Sequence, residues 1–155
     1  VTPADELRTA ADKLRALATT ASTDDDGTPT AHWNAQPCWN HLPDDGNRFL
    51  YGDRLTSDDG RPWSWPSLLH GGGQHRPARM RARHAEYAAT MGPSVGLALA
   101  DWLDAAAHSY ECGVQAADDV FRDDPTGREK FLTTGPGAPS AEALAVARQI
   151  LGTTP

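Results

Sequence analysis

Met91-Gly92-Pro93-Ser94-Val95-Gly96-Leu97-Ala98-Leu99-Ala100-Asp101-Trp102-Leu103 reads in two ways, and the choice between them decides the fold. Its first half fits the Gly-x-Ser-x-Gly string of a nucleophile elbow, and His70-Gly71-Gly72-Gly73 upstream fits the oxyanion-hole string of some esterases. An elbow needs a strand before its serine and a helix after it. Here Ala85–Met91 has helical texture, Pro93 sits where the strained turn needs its own geometry, and the gap between the strings leaves no room for a hydrolase sheet. In the other reading Met91-Gly92 ends one helix and Pro93 occupies the first position of the next. That reading fits better, and the fold expected is mainly α, α+β at most, with about four helices.

Working outward from this corner, a helix over 93–112 carries Val95, Leu99, Trp102, Leu103, Ala106 and Tyr110 on one face. It is expected to be the most buried element, with Leu99 and Trp102 near its centre, and a short continuation follows Gly113 over Val114–Phe121. Upstream, Arg76-Pro77 opens a helix over 77–90. A helix over 3–21 starts at Thr2-Pro3, with Asp5 and Glu6 at the positive end of its dipole. Leu7, Ala10, Leu14, Leu17 and Ala21 form its apolar stripe. After a loop from Gly127 to Pro139, Ser140 caps a last helix over 140–151 that buries Leu144, Ala147, Ile150 and Leu151 and stops at Gly152.

The segment 28–75 differs in kind. Prolines at 29, 37, 43, 62 and 66 exclude a long helix, because each removes a donor and restricts its predecessor. Four of the five tryptophans, Trp33, Trp39, Trp63 and Trp65, lie here. Thr30–Trp33 and Arg48–Gly52 read as strands joined through Asp44-Asp45-Gly46-Asn47. The whole is expected to be a small hairpin or irregular segment packed on one side of a single domain spanning 1–155, a length that suits one domain.

With 14 basic and 21 acidic residues, the chain carries a net charge of −7, which argues against general DNA binding, since that needs a cationic face. No apolar run approaches the roughly 18 residues that span a bilayer, and no charged-then-apolar leader opens the chain, so neither a membrane protein nor a secreted one is expected. Cys38 and Cys112 are too few for a disulfide scaffold and read as reduced thiols, which suits a cytoplasmic protein. Arginine outnumbers lysine 12 to 2 and alanine fills 25 positions, a bias that fits a GC-rich genome.

Two constellations carry chemistry. Cys38-x2-His41 and His70-x4-His75 supply four zinc-type ligands, with His32 and His84 nearby in sequence, so a zinc-stabilised protein or small hydrolase is the alternative reading. The leading one is the stretch from His70 to His84. Gly71, Gly72 and Gly73 run into the expected helix, whose free N–H groups would face an anion. Arg76, Arg79 and Arg83 would share one helical face, with Arg81 on another. Guanidinium forks match phosphate oxygens, His75 adds a titratable donor, and Trp63 and Trp65 supply rings to stack a base. The competing structural reading pairs these arginines with Asp101, Asp104, Glu111 or the aspartates at 118–124.

Glu6-Leu7-Arg8-Thr9-Ala10-Ala11-Asp12-Lys13-Leu14-Arg15 resembles small uncharacterised proteins of actinobacteria and their phages. So do His84-Ala85-Glu86-Tyr87-Ala88-Ala89-Thr90-Met91-Gly92-Pro93 and the Ser94–Leu103 stretch after it. The resemblance covers about a third of the chain, at helical packing positions, and transfers no catalytic motif. It implies a phage or prophage accessory gene. The function expected is therefore a non-enzymatic binding or interaction protein. It would take a small anionic ligand such as a nucleotide, or a protein partner on the first helix or the tryptophan segment. A homodimer through the seam of Leu7, Leu14 and Ala21 belongs to the second form.

Overall fold

Thr2 and Asp5 make the first structural device of the chain: the Thr2 hydroxyl accepts the Asp5 N–H at 3.2 Å and donates to the Asp5 carboxylate at 2.7 Å. Pro3 follows at the first helical position, and helix α1 runs over Pro3–Ala21. In the computed structural model, which describes residues 1–37, 43–73 and 76–153, α1 leads into strands β1 (Asn34–Pro37), β2 (Asn47–Tyr51), β3 (Leu55–Thr56), β4 (Pro62–Ser64), β5 (Gly72–Gly73), β6 (Arg76–Pro77) and β7 (Met80–Arg81). Helices α2 (Ala82–Thr90), α3 (Pro93–Val120), α4 (Pro125–Thr133) and α5 (Ala141–Leu151) follow. The chain is mainly α with some β, and the described residues hold five helices where about four were expected.

It divides into two compact units, Val1–Ala16 with Leu97–Pro155, and Leu17–Gly96. The division falls inside α1 and α3.

In the first unit the core is a seam of small residues. Ala4, Leu7, Ala10 and Ala11 of α1, Ala100, Leu103 and Ala107 of α3, and Ala143, Leu144 and Ala147 of α5 form one buried cluster. Seven of these ten are alanine, so the seam is built mainly of small side chains, with Leu7, Leu103 and Leu144 as its larger members. This corrects two expectations. Trp102 stands 41% exposed and Leu99 only half-buried, because the seam of α3 runs through Ala100, Leu103 and Ala107, one position round from the larger face. Leu17 is likewise exposed, at 59%. The seam expected to dimerise is occupied within the chain: Leu7 is fully buried and Leu14 packs against the same cluster.

Polar ties follow the seam on its outside. Arg8 forks onto Glu111, whose carboxyl is held below its ordinary range chiefly by that hydrogen bond. Arg15 reaches Asp104 at 2.6 Å and Asp101 at 3.0 Å, and Arg148 reaches Glu6 at 3.0 Å.

Helix α3 runs through Gly113 to Val120 without a break, so the continuation expected over Val114–Phe121 belongs to the same helix. Glycine in a helix interior costs only about 1 kcal/mol, and its bare Cα admits Gly137, whose Cα and carbonyl oxygen would lie 3.2 Å from any Cβ there. Helix α4 occupies part of the expected loop. Asp124 accepts the Gly127 N–H at 2.9 Å and Pro125 follows it, repeating the device at Thr2-Pro3.

In the second unit β1, β2 and β7 form an antiparallel sheet in that order, with Asn34 opposite Tyr51 and Arg48 opposite Met80. The first strand lies four residues beyond the expected Thr30–Trp33. Asp44 and Asp45 shape the turn before β2, accepting the Gly46 and Asn47 N–H groups at 2.9 Å. Helix α2 packs on the sheet through the fully buried Ala85, and Leu50 of β2 is the sheet's buried residue. The pairs β3–β4 and β5–β6 are short separate ribbons. No helix among the described residues is long and apolar enough to cross a membrane.

Candidate functional site

The helix expected over 77–90 begins at Ala82 instead, and this changes the arginine constellation. Backbone groups of Met80 and Arg81 pair with Arg48 and Asn47 of β2, so sheet pairing overrides the proline start at Pro77. Arg76, Arg79 and Arg83 therefore do not share a helical face. Gly72 and Gly73 pair with Pro77 and Arg76 as a ribbon, not as a loop into a helix. Gly71 and Gly72 take φ of 101° and 79°, the left-handed region where a side chain is strained, so two of the three glycines serve the backbone turn. Arg79 donates to Asp45 at 3.0 Å; this aspartate is its partner, while Asp101 and Asp104 go to Arg15, Glu111 to Arg8 and Asp118 to Arg128.

What the structure brings together instead is the junction of β7 and α2. Arg81 ends the strand with φ −61° and ψ 137°, and the Ala82 N–H donates to the Gly46 carbonyl at 2.9 Å. The helix starts without a side-chain cap. Asp45, Gly46, Asn47, Arg81, Ala82 and Arg83 line a cleft of about 520 Å³ there. Arg81 and Arg83, both exposed, have no ion pair among the described residues. Asp45 is committed elsewhere: it accepts the Asn47 N–H, which lowers its pKa most, and the Arg79 guanidinium. The cleft thus holds two uncommitted guanidinium groups against one neutralised carboxylate. The sequence reading set Arg81 aside because helical geometry turns it away; the extended backbone at Met80–Arg81 is what brings it beside Arg83.

Of the other expected ligand residues, Trp65 is taken up by its own neighbours. The Arg54 guanidinium lies 5.4 Å from its ring and Tyr51 at 6.0 Å. His75 and the side chains of Trp63 and Arg76 lie outside the described residues, as do Cys38 and His41 of the metal set. His70 is described and exposed, and the described residues contain no cluster of three metal-type ligands. Cys112 is an exposed free thiol.

The elbow string takes the helix-corner form. Thr90 closes α2, Met91 and Gly92 turn, and Ser94 is the second residue of α3. A histidine–aspartate pair does lie near: His32 Nδ1 is 2.8 Å from Asp53 Oδ1, and His32 and Ser94 line one small cleft of about 130 Å³. The Ser94 hydroxyl, however, donates to the Ala31 carbonyl at 3.1 Å, which aims its proton at a backbone oxygen and not at an imidazole. A nucleophile needs that hydrogen bond to its base.

The chain matches no family model, no curated protein and no solved structure.

Proposed function

We propose that the chain is a non-enzymatic binding protein that takes a small anionic ligand, a phosphate-bearing one such as a nucleotide, in the cleft at the start of α2. The observation that carries this reading is the pair of arginines without ion-pair partners among the described residues, Arg81 and Arg83, beside an uncapped helix start. Guanidinium groups recognise phosphate oxygens through paired N–H donors, and a helix N-terminus favours negative charge. The glycines at 71–73 have no part in it, and Arg79 serves to hold Asp45. An origin as a phage or prophage accessory protein rests on the resemblance of the two helical blocks.

Calorimetric titration with inorganic phosphate, pyrophosphate, AMP and ADP tests it. A charge-assisted hydrogen bond to phosphate contributes about 1.5–3 kcal/mol, so Arg83→Ala and Arg81→Ala each weaken binding about ten- to a hundredfold. Arg79→Ala lowers the melting temperature and, by leaving the Asp45 carboxylate unpaired in the cleft, weakens binding by less than either of these variants. Absence of heat with all four anions overturns the reading.

A further inference from the structure

Helix α3 carries a second chemistry on the side that its seam does not use. Leu103, Ala107 and Ala117 are fully buried, and the helical period turns His108 and Cys112 away from them. Both are exposed, and Cys112 is a free thiol. Their spacing of four residues sets one above the other, with Cys112 Sγ 3.6 Å from His108 Nε2.

That separation is the one a shared metal ion requires. Zinc bonds an imidazole nitrogen at about 2.0–2.1 Å and a thiolate sulfur at about 2.3 Å, so two such ligands of a tetrahedral ion lie about 3.5 Å apart. The same four-residue spacing presents the two zinc ligands of a His-Glu-x-x-His helix. One chain supplies only the pair. Glu111 is taken by Arg8, Asp101 and Asp104 by Arg15, and no third metal-type ligand joins the pair among the described residues. Structural zinc closes with four ligands, and a tetrahedral set of two sulfurs and two nitrogens is diagnostic for it. The surrounding face admits a second helix. Ala105, Ser109 and Ala116, all exposed and small, flank the pair, and α3 has no lysine or arginine to repel a cation.

We propose that two copies of this chain meet through the outer face of α3 around one Zn²⁺, held by His108 and Cys112 of each copy. The thiolate is the ligand, so each Cys112 releases its proton to solvent as the ion binds. This contact is distinct from the α1 seam, which the chain fills itself, and from the arginine cleft, on which it does not depend.

Sedimentation equilibrium of the chain, kept reduced with a phosphine, tests it with half an equivalent of zinc and then with EDTA. Zinc doubles the mass at one ion per two chains, and EDTA reverses the change. Co²⁺ in place of zinc gives a thiolate-to-cobalt charge-transfer band, the mark of a sulfur ligand. Cys112→Ser loses both the band and the dimer, and His108→Gln loses the dimer. Both side chains are exposed, so both variants melt as the wild type does. Cys38→Ser keeps the band and the dimer, which separates this site from the other cysteine. A mass that zinc does not double, a dimer that persists in Cys112→Ser or His108→Gln, or a band lost in Cys38→Ser each overturns the proposal. A dimer that forms only without reductant is a disulfide and overturns it as well.

Discussion

The two compact units solve the packing problem differently. In Val1–Ala16 with Leu97–Pro155, ten residues of three helices close into one buried cluster, and seven of them are alanine. Among the described residues of Leu17–Gly96 the buried hydrophobic ones are Ala18, Leu50 and Ala85, while the rings of Trp33, Phe49, Tyr51 and Trp65 stay half-buried. Small side chains at helical spacing leave nothing between backbones, so the first unit has little room for a ligand inside its seam. Large rings on short strands and prolines cannot interdigitate so closely, and clefts remain. The arginine cleft belongs to the second unit for that reason.

The comparison breaks most readily at one buried leucine of each unit. Leu103→Ala, in the alanine seam, is expected to cost about 3–5 kcal/mol, since the surrounding helices cannot collapse into the hole. Leu50→Ala, which borders an existing cavity, is expected to cost about 2–3 kcal/mol, as less packing is lost. Urea denaturation of both variants measures this, and equal losses would mean that the second unit is packed as well as the first.

A glycine pair sharpens the same contrast. A Cβ on Gly137 would lie 2.1 Å from the Phe131 ring, which packs against Phe121 with centroids 5.5 Å apart. Gly137→Ala is expected to cost about 1–3 kcal/mol by forcing that ring aside. Gly73→Ala meets no heavy atom of the described residues within 4 Å and is expected to change stability by less than about 0.5 kcal/mol. Thermal melts of the two variants separate a close approach from an open ribbon.

The smallest expected effect is electrostatic. Asp44 is held down to about 2, first by the hydrogen bonds from Arg48 and then by the Gly46 N–H. Its folded pKa lies below its unfolded value near 4, so its contribution is complete above that value and is lost as pH falls from about 4 through 2. In Asp44→Asn the drop of the melting temperature over that window is smaller. Glu111 behaves in the same sense through Arg8, so Glu111→Gln is the matching variant in the first unit.

Several features were legible in the residues alone because they rest on local chemistry. Thr2-Pro3 and Ser140 start helices through short-range caps, Gly152 ends one with φ 74°, and Met91-Gly92-Pro93 turns one helix into the next. The mainly α class followed from such signals and from 3.6-residue spacing. The turn at Asp44–Asn47 was legible for the same reason. What tertiary structure decided was which of two adjacent faces of α3 turns inward. Periodicity offers the face of Leu99 and Trp102, whereas contact with two other helices, from segments distant in the chain, selects Ala100, Leu103 and Ala107. Pairing across β2 decided that Met80–Arg81 is extended despite a helix-start proline, and so placed Arg81 with Arg83 in one cleft. The indole N–H of Trp33, buried and without a hydrogen-bond partner among the described residues, has no sequence signature at all, since hydrogen-bond partners come from segments distant in the chain.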